Sequence, residues 1–206
     1  MGAFSSLEEI AQKIKNSGKK ATLIYAFNAT GKTRLSMEFK NLLTEEKNGE
    51  IIKPVIYYNA FTEDLFSWDN DLDKDDERKL KINKGTDFVK LIESQGKENE
   101  ISERFKKITS SKIEPNINTK NGEVRFSLAT GDDNYVENIK ISRGEESIFI
   151  LTIFMVLMET IIDELNLDES DRSTMDFDNI KYIFIDDPIS SLDDNNAIDV
   201  ALELVK

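Results

Sequence analysis

The sequence predicts an α/β fold whose mixed sheet has a parallel core and an antiparallel portion, because short apolar runs alternate with helical patterns. Two of these runs, Ala21–Ala26 and Ile180–Ile185, have the length and the β-branched or aromatic content of buried strands. The chain has 206 residues, which is enough for one domain with a hydrophobic core. We therefore expect a single domain over residues 1–206, with a helical insertion over roughly residues 62–120.

Helices are expected wherever apolar side chains recur at spacings of three and four residues. The strongest case is the apolar run Ile148–Ile162, which is too short for a membrane span because Glu159 and Asp163 bracket its end. A buried helix is therefore predicted there. The other predicted helices follow Ser6, which forms a capping-box pattern with Glu9, and cover Thr33–Thr44, Lys84–Gln95, Glu98–Thr109 and Asn195–Val205.

Strands are expected where β-branched and aromatic residues cluster between turn signals. These strands cover Ile51–Tyr58, Glu123–Ala129 and Asn134–Ile141. In the acidic run Asp69–Glu77 a calcium loop is not expected, because Lys74 stands where glycine is required. The polar or acidic connections are predicted over Glu45–Glu50, Asp69–Glu77, Ser110–Gly122 and Asn166–Asn179.

The composition excludes several kinds of catalytic site. The chain has no histidine, which removes histidine bases, serine–histidine triads and histidine metal sites. It has no cysteine, which removes disulfides and thiolate zinc sites. Its net charge of −13 argues against direct binding to nucleic acid. The N-terminus lacks the pattern of a signal peptide, so we expect a cytoplasmic protein with no membrane partner.

The stretch Leu23–Thr33 has the pattern of a phosphate-binding loop, in which an apolar strand and a turn lead through Gly31, Lys32 and Thr33 into a helix. Backbone N–H groups of the loop and the helix N-terminus would hold the phosphates. Lys32 would reach the β- and γ-phosphates, and the Thr33 hydroxyl would bind magnesium. The alternative is an ordinary strand–turn–helix with a surface lysine. The residues expected to contact the nucleotide here are Asn28, Ala29, Thr30, Gly31, Lys32, Thr33 and Arg34.

Two carboxylates, Asp186 and Asp187, follow the predicted strand Ile180–Ile185. Ligands of open α/β sheets bind at the carboxyl ends of the strands, so this strand would hold Asp186 beside the phosphate loop. Asp186 would orient magnesium directly or through water, and Asp187 would polarise the attacking water. The expected catalytic residues are therefore Asp187 and Lys32. The alternative is a turn with two acidic residues before Pro188.

The helix that follows Ser142 carries further candidate residues in its first turn, namely Ser142, Gly144 and Glu145. A serine hydroxyl and a glycine backbone at a helix N-terminus can donate hydrogen bonds to a phosphate. Glu145 and Glu146 would oppose an anion there, so the contact would come mainly from Ser142 and backbone groups. The alternative is that these residues only cap the helix.

Taken in order, these motifs resemble those of ABC ATPases. Three sequence segments are most similar to the ATPase domain of bacterial anticodon nucleases and related anti-phage proteins, namely YAFNATGKTRLS, SRGEESIFI and FIDDPISSLD. Repair ATPases of the SMC type are similar more distantly, but no long coiled-coil arm is predicted here. The motifs are a Walker A loop at Ala26–Thr33, an LSGGQ-type signature at Ser142–Glu146, a Walker B strand at Ile183–Asp187 and a D-loop at Ser190–Asp193.

The resemblance implies a P-loop NTPase fold of the ABC type, with ATP or GTP and Mg²⁺ as ligands and a signature region over residues 123–165. It implies a head-to-tail homodimer, in which two nucleotides lie between the Walker A loop of one chain and the signature of the other. Ser142 and Gly144 would then contact the γ-phosphate in trans, and Asp193 would cross the interface. Such a head would hydrolyse its nucleotide and regulate a nuclease or toxin effector in anti-phage defence.

Three departures from the family pattern bear on activity. Ala26 and Ala29 replace loop glycines, which would either tighten or weaken phosphate binding. Asp187 is one methylene shorter than the usual glutamate, which predicts slow hydrolysis, although the family's nuclease-linked branch also carries Asp-Asp-Pro as a recurring variant. The family's last strand, its switch histidine and the nuclease domain do not follow the D-loop, so we expect a truncated product, an excised fragment or a small regulator. The alternative functions are a non-hydrolysing nucleotide sensor or protein-interaction module, and a remnant that binds no nucleotide.

Overall fold

The computed structural model divides into two compact units. The first unit contains the described residues of Met1–Asn59 and Leu167–Asp186, and the second contains those of Ala60–Asn166. The predicted helix Asn195–Val205 and most of the predicted helix Lys84–Gln95 lie outside the described residues. The residues that the structure describes are 4–25, 27, 30–47, 49–59, 66–74, 76–83, 92, 94–131 and 134–186.

The described helices lie close to their predicted positions, whereas several strands were not predicted. The helices are α1 (Leu7–Asn16), α2 (Lys32–Leu43), α3 (Glu98–Thr109) and α4 (Arg143–Asn166), and a short 3-10 turn covers Glu169–Asp171. The strands are β1 (Glu45–Lys47), β2 (Glu50–Ile52), β3 (Val55–Asn59), β4 (Phe66–Asp69), β5 (Lys79–Ile82), β6 (Ile113–Asn118), β7 (Glu123–Gly131), β8 (Asn134–Val136) and β9 (Tyr182–Asp186).

Helix α2 and the parallel strands β3 and β9 form the centre of the first unit. The two strands pair from Val55 opposite Tyr182 to Asn59 opposite Asp186. Phe39 of α2 lies edge-on to Tyr182, with the ring centroids 5.4 Å apart. Edge-to-face aromatic contacts of this kind stabilise packing beyond the area they bury, so they fix α2 against the sheet. The buried cluster of this unit consists of Ala11, Leu35, Phe39 and Leu43.

Helix α1 begins with a serine cap, as the sequence predicts, but its glutamate takes a different partner. The Ser6 hydroxyl accepts a hydrogen bond from the N–H of Glu9 at 3.2 Å. The Glu9 carboxylate accepts from the backbone N–H and the hydroxyl of Ser5, at 2.8 and 2.9 Å, rather than from Ser6. These two hydrogen bonds from Ser5 lower the pKa of Glu9.

The prediction of a buried strand at Ala21–Ala26 is wrong for the part that the structure describes, Ala21–Tyr25, which forms no strand. Leu23 is 97% exposed and Tyr25 is 85% exposed, whereas Ile24 packs against the buried cluster of the first unit. The physical reason is a missing neighbour, because β3 pairs with β9 and no described strand pairs with this run. Apolar composition favours a strand only where a neighbour completes its hydrogen bonds.

Pro54 divides the strand predicted over Ile51–Tyr58, so the prediction of one continuous strand is wrong. The residues before Pro54 pair with β1 in a hairpin, where Glu45–Glu50 was predicted as a polar connection, and those after it form β3. Proline has no N–H to donate to a ladder, so the strand is interrupted. Its carbonyl accepts from the N–H groups of Lys181 and Tyr182, at 3.0 and 3.1 Å, which leads the chain into β9.

The second unit contains an antiparallel sheet in the order β4-β5-β7-β6, with β8 paired to β7. The strands predicted over Glu123–Ala129 and Asn134–Ile141 are confirmed, although β8 is shorter than predicted. The prediction of a loop over Ser110–Gly122 is wrong, because β6 occupies its centre. Pro115 does not prevent this strand, since β6 lies at the edge of the sheet and one of its sides needs no partner.

Helix α4 provides much of the core of the second unit, which confirms the prediction of a buried helix. Every residue from Ile148 to Met158 is buried. Phe149 lies edge-on to Phe126 of β7 and to Phe105 of α3, with ring centroids 5.2 and 5.6 Å apart. None of the helices in the described part of the chain is long and apolar enough to cross a membrane.

The acidic connection between β4 and β5 is held by local hydrogen bonds. The Asp71 carboxylate accepts the N–H groups of Glu77 and Asp76, at 3.0 and 3.1 Å, and these bonds lower the pKa of Asp71. Asp69 contacts Lys81 of β5 at 2.9 Å, and this partner lowers the pKa of Asp69. Both carboxylates therefore stabilise the conformation of their own loop.

Candidate functional site

The candidate site lies where helix α2 begins, beside the end of strand β9. The Thr33 hydroxyl, in the first turn of α2, donates a hydrogen bond to Oδ2 of Asp186 at 3.0 Å. Asp186 is the last residue of β9 and is only 5% exposed, so the strand holds its carboxylate in a fixed place. Two side chains that are 153 positions apart in the sequence therefore meet at one point.

Gly31 is required at the start of α2 because of its backbone conformation. Its φ of 104° lies in the left-handed region, which residues with a side chain rarely adopt. A Cβ at this position would meet nothing within 4 Å, so within the described chain the requirement is conformational rather than one of space. The Gly31 carbonyl accepts the N–H of Leu35 at 2.8 Å, which begins the hydrogen bonding of the helix.

The first turn of α2 carries two basic side chains, Lys32 and Arg34, and no acidic one. Lys32 is half-buried, and Thr33 and Arg34 are exposed. Because the first turn contains no carboxylate, nothing in it offsets the positive end of the helix dipole. The preceding turn is closed locally, since the Thr30 hydroxyl donates to the carbonyl of Phe27 at 2.6 Å. This end of the helix is therefore suited to an anion.

Two further hydroxyls join Thr33 and Asp186, and the sequence pointed to neither of them. Tyr57 of β3 donates to the same Oδ2 of Asp186 at 3.0 Å. Ser36 of α2 is 2% exposed, and its hydroxyl lies 3.3 Å from the Tyr57 hydroxyl and 2.7 Å from the carbonyl of Thr33. Tyr57 could have been found only from the register of β3 and β9, in which Asn59 pairs with Asp186. Side chains two residues apart on a strand lie on the same face, so Tyr57 lies on the face of the sheet that carries Asp186.

The first turn of α4, in the second unit, forms a capping box. The Ser142 hydroxyl accepts the N–H of Glu145 at 3.2 Å, and the Glu145 carboxylate accepts the N–H of Ser142 at 2.7 Å. Glu146 accepts the indole N–H of Trp68 at 2.9 Å. The capped-helix interpretation accounts for these contacts, and a phosphate contact by Ser142 and Gly144 stays a prediction.

The predicted site residues fall into three groups. Those that lie in the first unit are Thr30, Gly31, Lys32, Thr33, Arg34 and Asp186, of which Thr33 and Asp186 contact each other. Those that belong to the second unit are Ser142, Gly144 and Glu145. Those that lie outside the described residues are Asn28, Ala29, Asp187 and the D-loop Ser190–Asp193.

The oxygen atoms at this site have the donor chemistry that magnesium prefers. Thr33 offers a hydroxyl and Asp186 a carboxylate, and Mg²⁺ is commonly held by one or two carboxylates together with water and substrate phosphates. Within the described ranges, no three or more histidine, cysteine, aspartate and glutamate side chains gather as a metal cage. The residues present therefore fit a magnesium ion that binds together with a phosphate.

The fold and this site define an α/β protein with a hydrogen-bonded threonine–aspartate pair at the carboxyl end of a parallel strand. The chain is 41% identical to the anticodon nuclease of Escherichia coli over an alignment that is 230 positions long, gaps included. The alignment covers 97% of this chain but 58% of that nuclease, so the chain spans less than two thirds of the relative's length. The chain is a homologue of the matching part of that anticodon nuclease, which confirms the predicted resemblance to anticodon nucleases. No family model and no solved structure matches the chain.

Proposed function

We propose that the chain is a nucleotide-binding ATPase head of the ABC type, which binds ATP or GTP with Mg²⁺ at the start of α2. The observation that carries this proposal is the 3.0 Å hydrogen bond between Thr33 and Asp186. In phosphate-loop proteins, a hydroxyl that follows the loop lysine and a carboxylate at the end of a strand together hold magnesium. Here the hydroxyl follows Gly31 and Lys32, and the carboxylate ends β9.

Each residue at the start of α2 has a separate part in holding the phosphates. Gly31 supplies the left-handed turn before the helix. Backbone N–H groups at a helix N-terminus point toward a ligand placed there, so they would donate to the phosphates. Lys32 would neutralise the β- and γ-phosphates. When bound, magnesium would supply positive charge to the γ-phosphate. Asp186 would orient this ion, and Asp187, the next residue in the sequence, would polarise the attacking water.

A second copy of the chain would complete the nucleotide site. In this arrangement the first turn of α4 lies against the γ-phosphate held by the partner, with Ser142 and Gly144 as the contacts. The two carboxylates of this turn are each hydrogen-bonded within their own chain, Glu145 to the N–H of Ser142 and Glu146 to the indole N–H of Trp68. They keep their negative charge, so the phosphate contact would come from Ser142 and backbone groups. A Cβ at Gly144 would meet nothing within 4 Å, so the described chain leaves that backbone open to a ligand.

The homologue's name supports a role in controlling a nuclease. That protein is called an anticodon nuclease, and this chain matches 58% of it. RNA cleavage by these residues is not proposed, because the chain has no histidine and no nuclease motif in its sequence. The head would instead control a nuclease or toxin effector in the cytoplasm, through an assembly that depends on the bound nucleotide.

A second candidate function is a nucleotide sensor that does not hydrolyse its ligand. One feature of the sequence favours it, because Asp187 stands where the family has a longer glutamate. In this case nucleotide binding alone would change the assembly state.

Mg-ATP is expected to convert the monomer into a dimer, because the nucleotide would link the start of α2 in one protomer to the start of α4 in its partner. Light scattering measures the change in mass, and a phosphate-release assay on the same samples separates the ATPase from the sensor. Lys32→Ala is expected to remain monomeric at every nucleotide concentration. Lys40→Ala, which removes the same charge from the other end of α2, is expected to dimerise as the wild type does. A wild-type mass that does not change at saturating Mg-ATP would contradict the head-to-tail dimer.

A further inference from the structure

Tyr57 contacts the proposed metal-binding carboxylate, and none of the motifs assigns it a role. Its hydroxyl lies 3.0 Å from Oδ2 of Asp186. Its ring packs against Phe184 of β9, with the ring centroids 6.0 Å apart. Because both residues lie on paired strands, the phenol is held in place before any ligand binds.

The number of protons in this cluster decides the direction of its hydrogen bonds. The Ser36 hydroxyl has one proton, and its shorter contact is the 2.7 Å one to the carbonyl of Thr33. The Tyr57 phenol also has one proton, and a carboxylate oxygen accepts it. Tyr57 therefore donates to Asp186, and Oδ2 receives two hydrogen bonds, one from Tyr57 and one from Thr33.

Both donors bind the same oxygen of Asp186, which leaves the second oxygen for a ligand. Across the described residues, Oδ1 accepts no hydrogen bond, although the side chain is only 5% exposed. We propose that Tyr57 is a positioning residue for magnesium, which fixes Oδ2 of Asp186 so that Oδ1 is available to the ion or to one of its waters. This role rests on the proposed function of the site as a magnesium–nucleotide site.

A carboxylate that is oriented before the metal arrives binds it more tightly, because less side-chain freedom is lost on binding. Hydrogen-bond partners of metal ligands act in this way, and their loss commonly lowers metal affinity by about 10- to 100-fold. Thr33 would be a ligand itself, so it cannot provide this orientation alone. Tyr57 is the donor at Oδ2 that would not bind the ion.

Tyr57→Phe keeps the ring and removes the donor, so it tests this role directly. Magnesium is expected to increase ATP binding. The MgCl₂ concentration at the midpoint of this increase is expected to be about tenfold higher in the variant than in the wild type. ATP affinity in EDTA is expected to stay unchanged, because the phosphate-binding groups are intact. Both quantities are measured by titration calorimetry at fixed ATP, and circular dichroism and the thermal midpoint in EDTA check that the variant is folded.

Tyr182→Phe is the matched control, because it makes the same chemical change on β9 in a ring that packs against Phe39. It is expected to leave the magnesium midpoint unchanged. An unchanged midpoint in Tyr57→Phe, or an equal loss of ATP affinity with and without magnesium, would overturn the positioning role and leave the proposed function intact. A wild-type chain that binds neither ATP nor GTP with magnesium would contradict both.

Discussion

Asp186→Asn is expected to weaken Mg-ATP binding about 100-fold, ~2.7 kcal/mol, with little change in ATP binding without metal. Asparagine keeps the shape of the side chain and can still accept from Thr33 and Tyr57, but it lacks the negative charge that attracts a divalent cation. Removing this charge also lessens repulsion of the nucleotide phosphates. The loss should therefore be confined to the magnesium-dependent part of binding, which misfolding of the variant would not produce.

Titration calorimetry measures the affinity of this variant for ATP with magnesium, in MgCl₂, and without magnesium, in EDTA. Asp176→Asn is the matched control, because it removes the same charge from an exposed position in the first unit. That variant is expected to bind as the wild type does under both conditions. Equal Mg-ATP affinities of Asp186→Asn and the wild type would exclude Asp186 from the metal site.

Phe126→Ala is expected to lower the free energy of unfolding of the second unit by about 3–5 kcal/mol. Phe126 is 1% exposed, and its ring lies 5.2 Å from Phe149 and 5.9 Å from Trp68, measured between centroids. Truncation would remove the ring through which β7 packs against Phe149 of α4 and Trp68 of β4. The neighbouring strands and helix cannot collapse fully into the space, so a cavity would remain.

Urea unfolding followed by tryptophan fluorescence measures this loss, because Trp68 is the single tryptophan of the sequence and lies beside Phe126. Val136→Ala is the control, since Val136 is 50% exposed on the adjacent strand β8. Its effect is expected to stay within about 0.5 kcal/mol of zero. A loss below about 1 kcal/mol in Phe126→Ala would contradict the central position of this ring.

Strand β9 was predicted correctly from the pattern of its own local sequence. The run Ile180–Ile185 has the composition of a buried strand, and the strand does form and ends at Asp186, where a carboxylate was expected. Helices α2 and α3 were predicted for the same reason, since their apolar spacing is a property of the local sequence. Local pattern therefore located both Thr33 and Asp186.

Tyr57 and the run Ala21–Tyr25 show why the rest could not be predicted. Tyr57 joins the site because β3 pairs with β9 in one register, and the register depends on residues more than 120 positions apart. The run Ala21–Tyr25 has the composition of a strand but no described partner. Both outcomes depend on which segments become neighbours, and composition does not specify that.

The first turn of α4 shows a different limit of prediction from the sequence. Ser142 and Glu145 cap the helix here, and the same donors and acceptors would serve a phosphate from a second chain. The two interpretations require the same residue types at the same spacing. Only a measurement on the nucleotide-bound assembly distinguishes them.

Titration of ATP and of GTP into the folded wild-type chain with MgCl₂, beside Lys32→Ala, tests the central claim most directly. The proposed site predicts saturable binding of one nucleotide per chain, and it predicts that Lys32→Ala abolishes this binding because the loop loses its phosphate-binding charge. A folded wild-type chain that gives no binding heat with either nucleotide would contradict the claim, and so would equal binding by Lys32→Ala.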